Sequence, residues 1–160
     1  LITLKLLTEE WQISALMKVS KLKGTALDEL KYDFIIFDTS PGLQYSSINA
    51  IVAADLVLVA TTADRSDVDG TRRMLRELYD LFEKKTGIVL NKVMYDISTK
   101  SGKDELQNNV KDVYQVPIMG MVPCSCDILR AEGSLIFAVD RPDHPLTKVL
   151  DSIAERIDSA

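Results

Sequence analysis

Three polar turns carry the residues best suited to chemistry. The first is Asp38-Thr39-Ser40-Pro41-Gly42, which follows the apolar run Phe34-Ile35-Ile36-Phe37. A carboxylate at the tip of a rigid strand can meet Mg²⁺ directly or through water. Gly42 adds a backbone N–H that can approach a phosphate oxygen with no Cβ in the way. An ordinary strand-to-turn aspartate followed by a Pro-Gly turn accounts for the same residues. The second turn is Asn91-Lys92 and the third runs from Pro123 to Asp127. In open parallel sheets ligands bind beyond the carboxyl ends of the strands, so these turns point to one site built from several loops.

The elements that must position them alternate between strand and helix. Leu1 to Leu7 is apolar enough for a strand. Thr8 is placed to cap a helix whose first turn holds Glu9 and Glu10. Ile13, Leu16, Met17 and Leu22 give that helix its face, and Gly24 marks its end. Thr25 to Lys31 reads as a short helix with Leu27 and Leu30 inward. Phe34 to Phe37 is apolar on both faces, as suits a strand covered by helices on both sides. Ser46 to Ala54 reads as helix, and Leu56 to Ala60 as a second doubly buried strand. Asp67 to Lys85 is amphipathic, with Val68, Thr71, Leu75, Leu78 and Phe82 on one face. Gly87 to Asn91 is a strand, Lys103 to Tyr114 a helix, and Val116 to Val122 a strand broken by Pro117. Ser125 to Glu132 is a short helix. His144 to Asp158 is the last, striped by Leu146, Val149, Leu150, Ile153 and Ile157. The alternation predicts an α/β fold with a parallel sheet.

Composition narrows the function classes. The chain has 160 residues, 19 Lys+Arg against 24 Asp+Glu, and a formal charge of −5. That balance disfavours a mainly electrostatic binder of nucleic acid or membrane. At 46% hydrophobic and 27% charged it is globular. Its length suits a single domain over residues 1–160. Cys124 and Cys126 are too few for a disulfide framework, and no secretory h-region opens the chain, so a cytoplasmic, reducing setting is expected.

The block Tyr32-Asp33-Phe34-Ile35-Ile36-Phe37-Asp38-Thr39-Ser40-Pro41-Gly42 resembles the switch II segment of the MinD/ParA family of ATPases. Ala53 to Thr62 is similar to that family's next strand, and Ser66 to Leu75 to the helix after it. Leu90-Asn91-Lys92 resembles its base-contacting segment, Val116 to Pro123 its last core strand, and Leu129-Arg130-Ala131 the helix beyond. The resemblance covers residues 30 to 158 and is closer to MinD than to plasmid partition proteins. It implies a P-loop NTPase-like three-layer fold. It implies that Asp38 sits near Mg²⁺, through water, and near the attacking water. It implies that Gly42, beside Pro41, offers its N–H to the γ-phosphate. Asn91 would contact adenine, Lys92 would pack near the base, and Pro123 and Cys124 would lie in the loop over the base edge. ATP and Mg²⁺ are the implied cofactors. ATP-gated homodimers, and partners in cell division or partitioning, are the implied assemblies.

One departure stands out. The sequence contains no G-x-x-x-x-G-K-[ST] phosphate loop, nor its variant with a second lysine. The chain starts at Leu1, so the reading is a C-terminal portion of the fold whose first strand and phosphate loop would precede it. A natural member lacking both, a non-enzymatic interaction module, is the alternative, and a separate chain bringing the loop is a third. Two unit charges about 4 Å apart interact by roughly 4 kcal/mol at an effective dielectric of 20, so losing the loop's lysine is costly. This chain alone is expected not to bind ATP tightly. Its apolar strand edges are expected to make it self-associating or dependent on a partner chain.

The remaining constellations read as structural. Cys124-x-Cys126 cannot complete a four-ligand zinc shell. Arg72, Arg73 and Arg76 share their helix with Glu77, Asp80 and Glu83, which fits a solvated face better than a DNA-binding one. Asp143-His144-Pro145 looks like helix-entry geometry. The last helix carries Asp151, Glu155 and Asp158 opposite Lys148 and Arg156. Its polar face is therefore not the basic one that membrane targeting needs.

Overall fold

A computed structural model describes residues 9–81, 83–94, 108, 110 and 112–159. The chain clusters into two compact units, one within Leu1–Val57 and Glu77–Lys85, the other within Leu58–Arg76 and Thr86–Ala160. The predicted strand at Leu1 to Leu7 and most of the Lys103 to Lys111 segment lie outside the described residues.

In the first unit, α1 (Glu9–Gly24) packs on α2 (Tyr45–Ala53). Ala15, Leu16, Val19 and Lys23 are half-buried, whereas Met17 and Leu22, expected inward, are exposed. Gly24 does not stop the helix. Its backbone is right-handed helical (φ −58°, ψ −47°), and one wider π turn, Thr25–Glu29, continues from it. The turn closes through Leu30 N–H to Thr25 O (2.9 Å) and Tyr32 N–H to Ala26 O (3.0 Å). The actual terminator is Lys31, at φ 59°, a left-handed position that usually falls to glycine. Leu30 is left exposed, not inward.

The expected strand at Phe34 to Phe37 does not form. The segment is in no sheet, and Tyr32, Phe34 and Ile36 are exposed. An apolar run becomes a strand only when a neighbour receives its amides and carbonyls, and no described strand does so. Among the described residues this unit fully buries only Ser47 and Leu78.

The second unit holds the core. Its parallel sheet has the order β1 (Leu56–Thr62), β2 (Lys85–Val93), β3 (Ile118–Pro123), with β1 entering from the first unit. β2 and β3 run parallel, with Ile88 beside Ile118 and Val93 beside Pro123. Pro117 lacks an N–H, so β3 begins after it, although its carbonyl accepts from Ile88 N–H at 2.9 Å. One sheet face meets α3 (Arg65–Leu81) and the helical residues 112–114. There Leu75, Ile88, Leu90, Tyr114, Val116, Ile118 and Met121 form one cluster, with Val59 and Val68 against it.

After β3 come α4 (Cys126–Arg130), α5 (Phe137–Asp140) and α6 (Pro145–Asp158). α6 covers the other face at β3, burying Ile153 and Thr147. Arg156 donates to the carbonyls of Ile118 and Met119, both at 3.1 Å. Leu146, Val149 and Ile157 are half-buried, as the stripe predicts, whereas Leu150, expected on it, is exposed. β1 was expected to be buried on both faces. Instead Leu58 is 39% exposed, because α6 packs on β3 rather than over β1. No described helix is long and apolar enough to cross a membrane.

Close approach of α6 to β3 requires Gly120, since a Cβ there would collide with the side chain of Ile153. Gly120→Ala should cost about 1–3 kcal/mol, read from the urea unfolding midpoint. Lys31→Gly should do the reverse, gaining roughly 0.5–1 kcal/mol by relieving a left-handed backbone.

Candidate functional site

The carboxyl edge of the second unit's sheet collects three strand tips. The tip of β1 is closed on itself. Asp64 stands just before α3, and its carboxylate accepts from the Ser66 N–H (2.9 Å) and the Ser66 hydroxyl (2.6 Å). Thr62 donates its hydroxyl to Asp67 at 2.6 Å and accepts from Asp64 N–H at 3.2 Å. A helix N-terminus already served by a carboxylate has no open place for a phosphate. These hydrogen bonds, the Ser66 hydroxyl's foremost, hold the Asp64 carboxyl below its ordinary value. The Asp-x-Ser spacing just before a helical stripe was the sequence signal for this cap.

The tips of β2 and β3 are different. Their parallel pairing sets Lys92-Val93 beside Pro123, and Cys124 N–H extends the ladder to Val93 O at 3.0 Å. Asn91, Lys92, Pro123 and Cys124 are thereby brought to one edge. Lys92 takes a left-handed conformation (φ 53°), and its N–H donates to Asn91 Oδ1 at 2.9 Å. That bond fixes the carboxamide while leaving a second lone pair and the amide NH₂ facing outward. Asn91, Lys92 and Cys124 are exposed.

Just beyond, His144 caps α6 as its sequence context predicts. Its Nδ1 accepts from Leu146 N–H at 3.1 Å, so the proton sits on Nε2, which lies 3.7 Å from Asp127 Oδ2. The ring packs edge-on against Phe137, centroids 4.8 Å apart. This imidazole is fully engaged as structure.

Asp38, Pro41 and Gly42 belong to the first unit. All three are exposed, and Asp38 follows the unpaired segment instead of capping a strand. Gly42 has φ 80°, with open space where a Cβ would stand. Ser47, on the first turn of α2, donates to Ser40 O at 3.1 Å and ties the turn to the helix. The opposite end of α2 is held by two cations. Lys23 reaches Ala53 O (3.1 Å) and both carboxylate oxygens of Asp55 (2.7 and 2.9 Å), and Lys84 reaches Val52 O (2.7 Å) and Ala54 O (3.0 Å). Cations at a helix C-terminus complement its dipole. The N-terminal end at Gln44 has no side-chain cap.

A family model described as AAA domain matches residues 3–92, more than half of the chain. The chain belongs to this AAA domain family, on its MinD/ParA side. The septum site-determining protein MinD of Thermotoga maritima is 25% identical over 128 residues, 79% of this chain and 47% of that protein. The chain thus spans about half the length of that curated relative. Among solved structures, Aquifex aeolicus MinD, seen alone and with MinC, superposes with a TM-score of 0.74 at 15% identity. It covers 91% of this chain and 61% or 60% of the MinD. The MinD of Pyrococcus horikoshii, complexed with Mg-ADP, gives 0.67 at 20% identity, covering 89% of this chain and 56% of that one. These likenesses establish the fold.

Each unit, taken by itself, offers some of the groups that a nucleotide needs. The edge at Asn91 and Lys92 offers amide and ammonium donors, and the Gly42 turn offers an accessible N–H. Among the described residues no group of three carboxylate, thiol or imidazole side chains gathers to hold a cation. The phosphate loop is absent from the sequence.

Because the Asp64 pKa is depressed on folding, its stabilising effect is complete above the unfolded value near 4 and vanishes as pH falls through the folded value. Asp64→Ala should therefore lower the urea midpoint at neutral pH, with the difference from wild type narrowing as the carboxyl becomes protonated in acid.

Proposed function

We propose that this chain is the switch II and adenine-recognition portion of a MinD/ParA-like ATPase. The observation that carries the reading is the β2–β3 edge, where parallel pairing sets an outward carboxamide and lysine beside the Pro123-Cys124 loop. Asn91 recognises adenine, Lys92 packs near the base, and Pro123 and Cys124 close over the base edge. Gly42, with Pro41 before it, is the turn that offers its N–H to a terminal phosphate. Asp38 meets Mg²⁺ through water. In the intact protein these parts run an ATP-dependent dimerisation switch in the cytoplasm that positions division or partition machinery. The Aquifex MinD solved with MinC supports a cell-division partner. The acidic balance and the carboxylates on α3 favour a protein partner over DNA.

The chain alone lacks the phosphate cradle. ATP's charges would meet Asp38 without the compensating lysine, and one such interaction is worth about three decades of affinity. The missing motif also supports a second reading, a P-loop-less interaction module of the same fold. Reading the coding DNA upstream of Leu1 separates the two: an in-frame glycine-rich loop favours the ATPase portion, and a stop codon the module. Isothermal titration of this chain with MgATP should show no binding tighter than about millimolar. A micromolar Kd would contradict both the missing-cradle argument and the module.

A further inference from the structure

The extended course of β3 continues past Pro123. Cys124 N–H bonds to Val93 O at 3.0 Å, and Ser125 is extended (φ −124°, ψ 124°) before α4 begins at Cys126. Side chains two apart across an extended residue leave on the same side. Burial follows that alternation: Cys124 and Cys126 are exposed free thiols, and Ser125 between them is half-buried. The two thiols therefore stand side by side on one face of the loop, open to solvent.

Their spacing favours an ion over a direct bond. Two residues of extended chain separate their Cα atoms by about 6.4–6.8 Å. That is near the far end of what a disulfide spans, and a disulfide needs its sulfurs only about 2 Å apart. Two collinear metal–thiolate bonds of about 2.3 Å each hold the sulfurs roughly 4.6 Å apart, which suits parallel side chains at this separation. The neighbours decide which ion. Asp127 is the adjacent carboxylate, and it faces Arg130 and the Nε2 of His144, each at 3.7 Å. His144 commits its Nδ1 to the Leu146 N–H. Among the described residues no third thiol, carboxylate or imidazole completes a group with the pair. Zinc needs four ligands, and magnesium and calcium want oxygen. A soft d10 monocation is satisfied by two thiolates in line.

We propose that Cys124 and Cys126 form a two-coordinate site for a soft monovalent cation, copper(I), held between the two sulfurs. Binding exchanges two S–H bonds for two S–Cu bonds and releases two protons to solvent, leaving a bis-thiolate complex of net charge −1. No electron is transferred. Neither nucleotide nor a second copy of the chain takes part, which makes the site independent of the nucleotide reading.

The test uses the full chain, reduced and free of oxygen, with copper(I) delivered as its acetonitrile complex and bicinchoninate competing for the metal. Each chain should take up one copper and keep it against excess glutathione, with a sulfur-to-copper absorption in the near ultraviolet. Copper-edge X-ray absorption should show two sulfur neighbours, no nitrogen or oxygen, and no second copper. Cys124→Ser and Cys126→Ser should each weaken retention by more than about 100-fold, beyond the 10–100-fold that loss of a supporting group costs. Cys124→Ser combined with Ser125→Cys keeps two thiols but sets them on opposite sides, and should not restore binding. Asp127→Asn should leave retention unchanged. Circular dichroism should show each variant folded. Four results would overturn the proposal: glutathione strips the native chain, a single serine variant holds copper as the native chain does, the relocated thiol restores binding, or the absorption edge shows a third ligand or a copper neighbour. The last would assign the metal to a cluster shared between copies.

Discussion

A backbone amide in an extended segment must find its partner on the chain beside it. β2 is flanked on both sides, by β1 and β3, and everything definite in the second unit is arranged around it. Its pairing with β3 turns two turns thirty residues apart into one edge, since a parallel register delivers both carboxyl ends to the same place. Its apolar face gives α3 something to cover. Phe34 to Phe37 is as apolar as the centre of β2, but among the described residues no strand flanks it. Its carboxylate-bearing end therefore lacks the rigid support that Asn91 enjoys.

What could be read from the residues divides along that line. Periodicity located α3, β2 and α6, because burial on a helix stripe or a central strand is a local imprint of tertiary packing. The Asp143-His144-Pro145 entry was legible too, since capping is settled within a few residues. Pairing is not local. Nothing within Phe34-Ile35-Ile36-Phe37 states whether a neighbour exists, so its apolar character pointed to a strand that does not form. Gly24 misled for a related reason. Glycine permits termination without requiring it, and the left-handed stop fell to Lys31. The resemblance located the family correctly, while the shared edge of the β2 and β3 tips follows from their parallel pairing. The Asp64 cap stayed hidden behind the more conspicuous turn at Asp38.

Electrostatics sharpens the division of labour at the sheet edge. The polar groups at Thr62, Asp64 and Asp67 serve one another, and His144 serves α6, so neither set is left for a ligand. Asn91 and Lys92 spend only a backbone donor and one lone pair between them. Exposure alone would not have separated these groups. Their hydrogen-bond commitments do.

The unequal fastening of α2 has a mechanical consequence. Two ammonium groups grip its final carbonyls, while its first turn has no side-chain cap and leans on one serine hydroxyl. A helix fastened in this way frays from its loose end. The grip of α2 therefore lies at its C-terminal end, where Lys23 and Lys84 meet its last carbonyls, and not at the turn ahead of Tyr45.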